Sequence, residues 1–87
     1  MGEKELTEVG RIAHFFTKIS VAIVELTDAL AVGDQILIKG PTTNIEQKVE
    51  SMQIEHENVK KARRGQSIGL KVNDNVREND MVYKMKE

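Results

Sequence analysis

The sequence predicts an all-β domain, with a small closed barrel of six or seven strands preferred over a sandwich. Three observations point there. First, a tight turn followed by a short strand, Val32-Gly33-Asp34-Gln35-Ile36-Leu37-Ile38-Lys39, recurs in near copy at Arg64–Lys71 and at Glu78–Met85. Second, apolar residues come in short runs, several alternating with period two, and no stretch supports a convincing helix. Third, Gly, Asn, Asp and Pro punctuate the chain often, as barrels and sandwiches require. Closure is preferred because a barrel leaves no unpaired sheet edge.

Residues 1–6 read as a flexible polar lead-in and residues 7–87 as one domain. Val9 to His14 forms the first strand, anchored by Val9 and Ile12. Phe16 to Ile19 is a hairpin connection. Ser20 to Leu26 follows, β-branched and continuously apolar as a strand covered on both faces would be. In the opening motif Gly33 suits a turn position with positive φ, and Asp34 can bond the local backbone. Ile36 and Ile38 share one face, and Gly40-Pro41 ends the strand. Ile45 to Ile54 alternates but changes phase at Met52, which a β-bulge near Glu50–Gln53 explains. Val59 to Gly65 reads as a turn carrying a basic cluster. Ile68, Leu70 and Val72 share the next inward face, Asn73-Asp74-Asn75 turns the chain, and Met81 to Met85 closes it. In each copy of the motif a permissive residue (Gly33, Gly65, Asn79) precedes a side chain able to hold the turn (Asp34, Gln66, Asp80). The repeat therefore reads as a folding device.

Eighty-seven residues suffice for one core, and with aromatics at only 3% that core is built from Ile, Val, Leu, Met and Ala. A formal net charge of −1 removes the simplest electrostatic case for a dedicated nucleic-acid binder. Without cysteine there is no disulfide framework and no thiolate zinc site. The longest apolar run, Val21 to Val24, is far short of the roughly 20 residues that span a bilayer. The charged start MGEKELTE is no signal peptide, so a soluble cytoplasmic monomer without a membrane role is expected.

Val32-Gly33-Asp34 with Ile36, Ile38 and Gly40 resembles the centre of the second domain of EF-Tu-like translation factors. Ala62, Gly65 and Ile68-Gly69-Leu70, then Val76 to Val82, are similar to later segments of that barrel. The resemblance implies a Greek-key barrel of the translation-protein type. A closer likeness is to the C-terminal barrel of the collagenase-like peptidase family (family U-thirty-two), some of whose members are linked to RNA hydroxylation. It is carried by Val9-Gly10-Arg11-Ile12, Val21 to Glu25, Val32 to Pro41 and Glu46-Gln47-x-Val49-Glu50-Ser51-Met52. The last spacing is the most specific. Neither a phosphate-binding loop nor the peptidase catalytic domain accompanies the barrel, so the likeness implies fold and not activity.

No enzyme is expected. Ser20, Ser51 and Ser67 lie in no nucleophile motif, and the carboxylates are scattered. His14 and His56 with Glu55 or Glu57 could supply zinc ligands, but isolated strand or loop histidines explain them as well, and no metal, cofactor or nucleotide is expected. The strongest binding signal is Lys60-Lys61-Ala62-Arg63-Arg64, able to grip phosphates, with Arg11 and Lys18 as supplements. A solvated turn balanced by neighbouring carboxylates accounts for the cluster equally. Of Phe15 and Phe16, one ring is expected in the core and the other on the surface as a partner contact. The expected function is a stand-alone binding module docking on RNA, the ribosome or an RNA-modifying enzyme. The alternative is a protein-interaction accessory acting in trans with a collagenase-like peptidase.

Overall fold

The computed structural model describes residues 5–86. Ten strands and no helix occur among them: β1 (Glu5–Phe16), β2 (Val21–Leu26), β3 (Leu30–Ala31), β4 (Gln35–Lys39), β5 (Asn44–Lys48), β6 (Met52–Ile54), β7 (Glu57–Val59), β8 (Lys61–Ala62), β9 (Ser67–Lys71) and β10 (Met81–Lys86). Eight of these form one sheet in the order β5-β4-β10-β1-β2-β9-β6-β7, and β3 pairs with β8. The all-β expectation is correct. The count of six or seven strands is too low, because the long Ile45–Ile54 segment splits and the basic segment contributes strands of its own. Of the lead-in, residues 1–4 lie outside the described residues, whereas Glu5 and Leu6 already pair with Lys86 and Met85.

Val9, Ile12 and Phe15 all pack on the core, a spacing of three that a regular strand cannot produce. Two register shifts in β1, at Glu8/Gly10 and at Ile12/His14, supply the phase changes. Gly10 sits at the first, where a Cβ would lie 2.6 Å from Val24 Cγ1 and 2.9 Å from the Glu25 carbonyl oxygen. β2 is not covered on both faces. Ala22, Val24 and Leu26 are buried, while Val21 and Ile23 on the other face are only half-buried. The phase change at Met52 is a chain corner rather than a bulge, because β5 ends at Lys48 and β6 starts at Met52.

The repeated turn has the same hydrogen bonds all three times. Asp34 N–H donates to the Ala31 carbonyl at 3.1 Å, and Asp34 Oδ2 accepts from Ala31 N–H at 2.9 Å. Gln66 does the same with Arg63 at 3.1 and 2.7 Å, and Asp80 with Arg77 at 3.1 and 2.9 Å. The residue before each of these has positive φ: Gly33 at 99°, Gly65 at 88° and Asn79 at 74°. Each turn also clamps one buried residue of a neighbouring segment. Gly33 N–H donates to Val49 O and Val49 N–H to Asp34 O. Gly65 and Gln66 hold Leu26 in this way, and Asn79 and Asp80 hold Ile12. The repeat is thus a turn, a cap and a clamp in one.

No ladder joins the outermost strands, β5 and β7. Part of the seam beside β5 is bridged by a side chain. Gln47, 5% exposed, donates from Nε2 to Lys71 O at 3.0 Å, and its Oε1 accepts from Asn73 N–H at 2.9 Å. Its carboxamide thereby stands in for a backbone peptide group, pairing with the end of β9.

Glu55 and His56, at the two-residue tip between β6 and β7, have φ of 52° and 67°. Two left-handed residues are the signature of a type I′ hairpin, which favours Asn-Gly. Replacing Glu55-His56 by Asn-Gly should stabilise the fold by about 1–2 kcal/mol, read as a higher denaturation midpoint at unchanged slope.

Candidate binding surfaces

The basic segment is not a simple turn. Lys60 follows β7, Lys61 and Ala62 form β8, and Arg63 and Arg64 belong to the second clamp turn. Pairing of Ala62 with Leu30 buries the alanine and leaves all four cations exposed. Ion pairs among the described residues include Arg11–Glu25, His14–Glu78 and Lys84–Asp34, and none of these three engages the four cations. Arg11 differs, since its guanidinium bonds Glu25 at 2.7 Å across β1 and β2. That pair is half-exposed and contributes little to stability.

Phe15 and Phe16 divide as the sequence suggests. Phe15 packs against the core, and Phe16 is 44% exposed, its ring 4.5 Å from that of His14 in an edge-on contact. Lys18 is exposed on the adjoining turn, next to Ile19 at 57% exposure. Phe16, Ile19, Val21 and Ile23 line an apolar groove of about 300 Å³, rimmed by Glu55 and His56. The continuous apolar run of β2 was the sequence signal for this groove, since its outward members line the groove rather than a second packed layer.

These candidate residues do not converge on one site. Phe16 pairs with Val21 at one end of β2, while Gly65 and Gln66 clamp Leu26 at the other. Five residues at about 3.4 Å each separate the ends by about 17 Å. Arg11, opposite Glu25, lies toward the basic end, and Lys18 toward the groove. The histidines have separate roles: His14 bonds Glu78 at 3.1 Å, and His56 sits in the strained hairpin. Among the described residues no group of three or more His, Cys, Asp or Glu could hold a metal ion. No helix among them is long and apolar enough to cross a membrane.

A second depression of about 550 Å³ opens at the seam beside β5, lined by Phe15, Thr17, Thr42 to Ile45 and Asp74 to Arg77. Sequence reasoning missed it, because its walls come from segments far apart in the chain.

Comparison with known proteins agrees with this architecture. The chain is 49% identical over 81 residues to the "Uncharacterized protease MJ0090" of Methanocaldococcus jannaschii, aligning over 92% of its own length and 20% of that protein. It is 40% identical over 83 residues to a "Collagenase" of Porphyromonas gingivalis, 93% of this chain and 23% of that one. The chain thus spans about one fifth of the curated relatives it matches. In three dimensions it superposes on the C-terminal domain of a Geobacillus thermoleovorans putative U32 peptidase with a TM-score of 0.82. That match has 23% identity and covers 87% of this chain and 89% of the other. No family model matches the sequence. The chain is therefore homologous to one segment of these protease- and collagenase-named proteins, and shares its fold with a C-terminal domain.

Proposed function

We propose that this chain is a non-catalytic binding module that serves a collagenase-like catalytic protein, whether joined to it or acting in trans. The observation that carries this reading is the alignment: nearly the whole chain corresponds to a one-fifth segment of larger proteins named as proteases. The reading adopts a translation-protein-type Greek-key barrel for the architecture, supported by the three clamp turns and the Gln47 bridge across part of the open seam. The groove around Phe16 and Ile19 is the contact surface, since exposed apolar area of this kind gains most from being covered. A nuclease-treated pull-down from native lysate should retain a protein partner. Phe16→Asp combined with Ile19→Asp should release it while leaving the melting temperature within a few degrees, both side chains being substantially exposed. Loss of all partners on nuclease treatment sinks the proposal.

A specific observation favours a second reading, docking on RNA or the ribosome in the cytoplasm. Lys60, Lys61, Arg63 and Arg64 are all exposed within five residues and engage none of the three ion pairs above. Binding to tRNA or rRNA fragments would then weaken steeply with salt. Arg63→Ala with Arg64→Ala should weaken it at least about tenfold with no loss of fold, because the turn is held by the Arg63 backbone and not its side chain. No mobility shift at low salt with tens of micromolar protein excludes this reading.

A further inference from the structure

The cleft at the seam has chemistry that neither contact surface above uses. Its β5 side is an exposed sheet edge. Gly40 and Thr43 exchange both backbone hydrogen bonds, at 2.8 and 3.4 Å, around the Pro41-Thr42 turn. In an antiparallel ladder such pairs alternate with non-bonded ones. The next pair, Lys39 with Asn44, is therefore non-bonded, and the Asn44 N–H and C=O point away from β4 into the open seam. The facing wall, Asp74 to Arg77, carries one charge of each sign. The Asp74 carboxylate accepts from Asn75 N–H at 2.8 Å, while the Arg77 guanidinium engages none of the three ion pairs above and is left to meet an anion. Phe15, Ile45 and Val76 contribute apolar lining, and Thr17, Thr42 and Thr43 complete it.

Farther along the seam, the Gln47 carboxamide already shows what this gap accepts. An amide there donates to one backbone carbonyl and accepts from a backbone N–H two residues on. From Gln47 toward Asn44 the same strand leads to the cleft. Its volume, about 550 Å³, is within the range of sites that enclose ligands.

We propose that this cleft binds an extended peptide bearing an acidic residue. The peptide is added as a strand beside β5, exchanging both backbone hydrogen bonds with Asn44, its carboxylate facing Arg77 and an apolar side chain resting on Phe15. Strand addition at a free edge supplies affinity through backbone bonds, and the flanking pocket and charge supply selectivity. The proposal is independent of whether the Phe16 groove or the basic segment docks anything, because its residues are different.

The test is amide-resolved NMR of the full chain, titrated with a pool of short soluble peptides that each carry one central glutamate between β-branched residues. The expected result is shifts concentrated at Phe15, Thr42–Ile45 and Asp74–Arg77, with slowed solvent exchange of the Asn44 N–H. Arg77→Gln should weaken binding about tenfold, since its backbone and not its guanidinium holds the Asp80 turn. Asn44→Pro removes the outward N–H together with the asparagine side chain, is tolerable on an edge strand, and should weaken binding by a similar factor, with Asn44→Ala as the control that keeps the N–H. Should Asn44→Pro not fold, peptides with N-methylated central backbone replace it and should fail to bind the unaltered protein. Absence of shifts at millimolar peptide overturns the proposal. So do shifts centred on Phe16 and Ile19, or affinity unchanged both in Arg77→Gln and on removal of the edge hydrogen bond.

Discussion

Gln47→Leu should lower the stability of this protein by about 3 kcal/mol, among the largest effects of any single polar substitution here. The leucine nearly matches glutamine in shape but leaves the Lys71 carbonyl and the Asn73 N–H without their partner. An unsatisfied buried backbone group costs about 1–3 kcal/mol; these two groups are part-buried, and glutamine is itself almost fully enclosed, so their joint loss comes to about 3 kcal/mol. Chemical denaturation should show a lower midpoint. Hydrogen exchange should show Asn73 and the β9 end losing protection before the β1–β2 ladder does. A loss below about 0.5 kcal/mol would mean that the bridge is dispensable and the seam is held elsewhere. The bridge also gives a physical reason for glutamine within the Glu46-Gln47-x-Val49-Glu50-Ser51-Met52 spacing, where the resemblance to peptidase barrels is most specific.

Gly40→Ala should be as damaging, at about 2–4 kcal/mol, although alanine is small and the position is not left-handed. A Cβ there would overlap the Asp80 carboxylate, which is 2% exposed and cannot swing into solvent. Displacing it breaks the cap on Arg77 N–H and loosens the clamp on Ile12, at the centre of β1. Gly33→Ala is the control. Its Cβ meets nothing within 4 Å, so only the left-handed backbone is penalised, at about 1–2 kcal/mol. Equal losses at the two glycines would show that collision with Asp80 is not the cause at Gly40.

The three clamp turns were legible in the sequence as turns. Gly33, Gly65 and Asn79 mark the permissive position, and Asp34, Gln66 and Asp80 mark the acceptor, because both requirements are local. Their second role was not legible. Val49, Leu26 and Ile12 are held by residues that lie 15 or more positions away, or in another repeat, and nothing in a local pattern names them. β1 shows the same division. Its apolar content was visible, but the inward spacing of Val9, Ile12 and Phe15 depends on two bulges set by pairing with β10 and β2.

By itself the sequence determined the all-β class, the three turns, the inward faces of β4 and β9, and the exposure of one phenylalanine of the Phe15-Phe16 pair. Period-two burial and positive-φ chemistry act over a few residues and leave direct marks. Only the tertiary structure decided that the basic segment is part strand with its four cations exposed, about 17 Å along β2 from the Phe16 groove. It alone decided that the sheet has a seam, that Gln47 bridges part of it, and that a cleft remains beside Asn44. Such features depend on which distant strands become neighbours. That choice is made by burying one shared core, not by any residue's own preference.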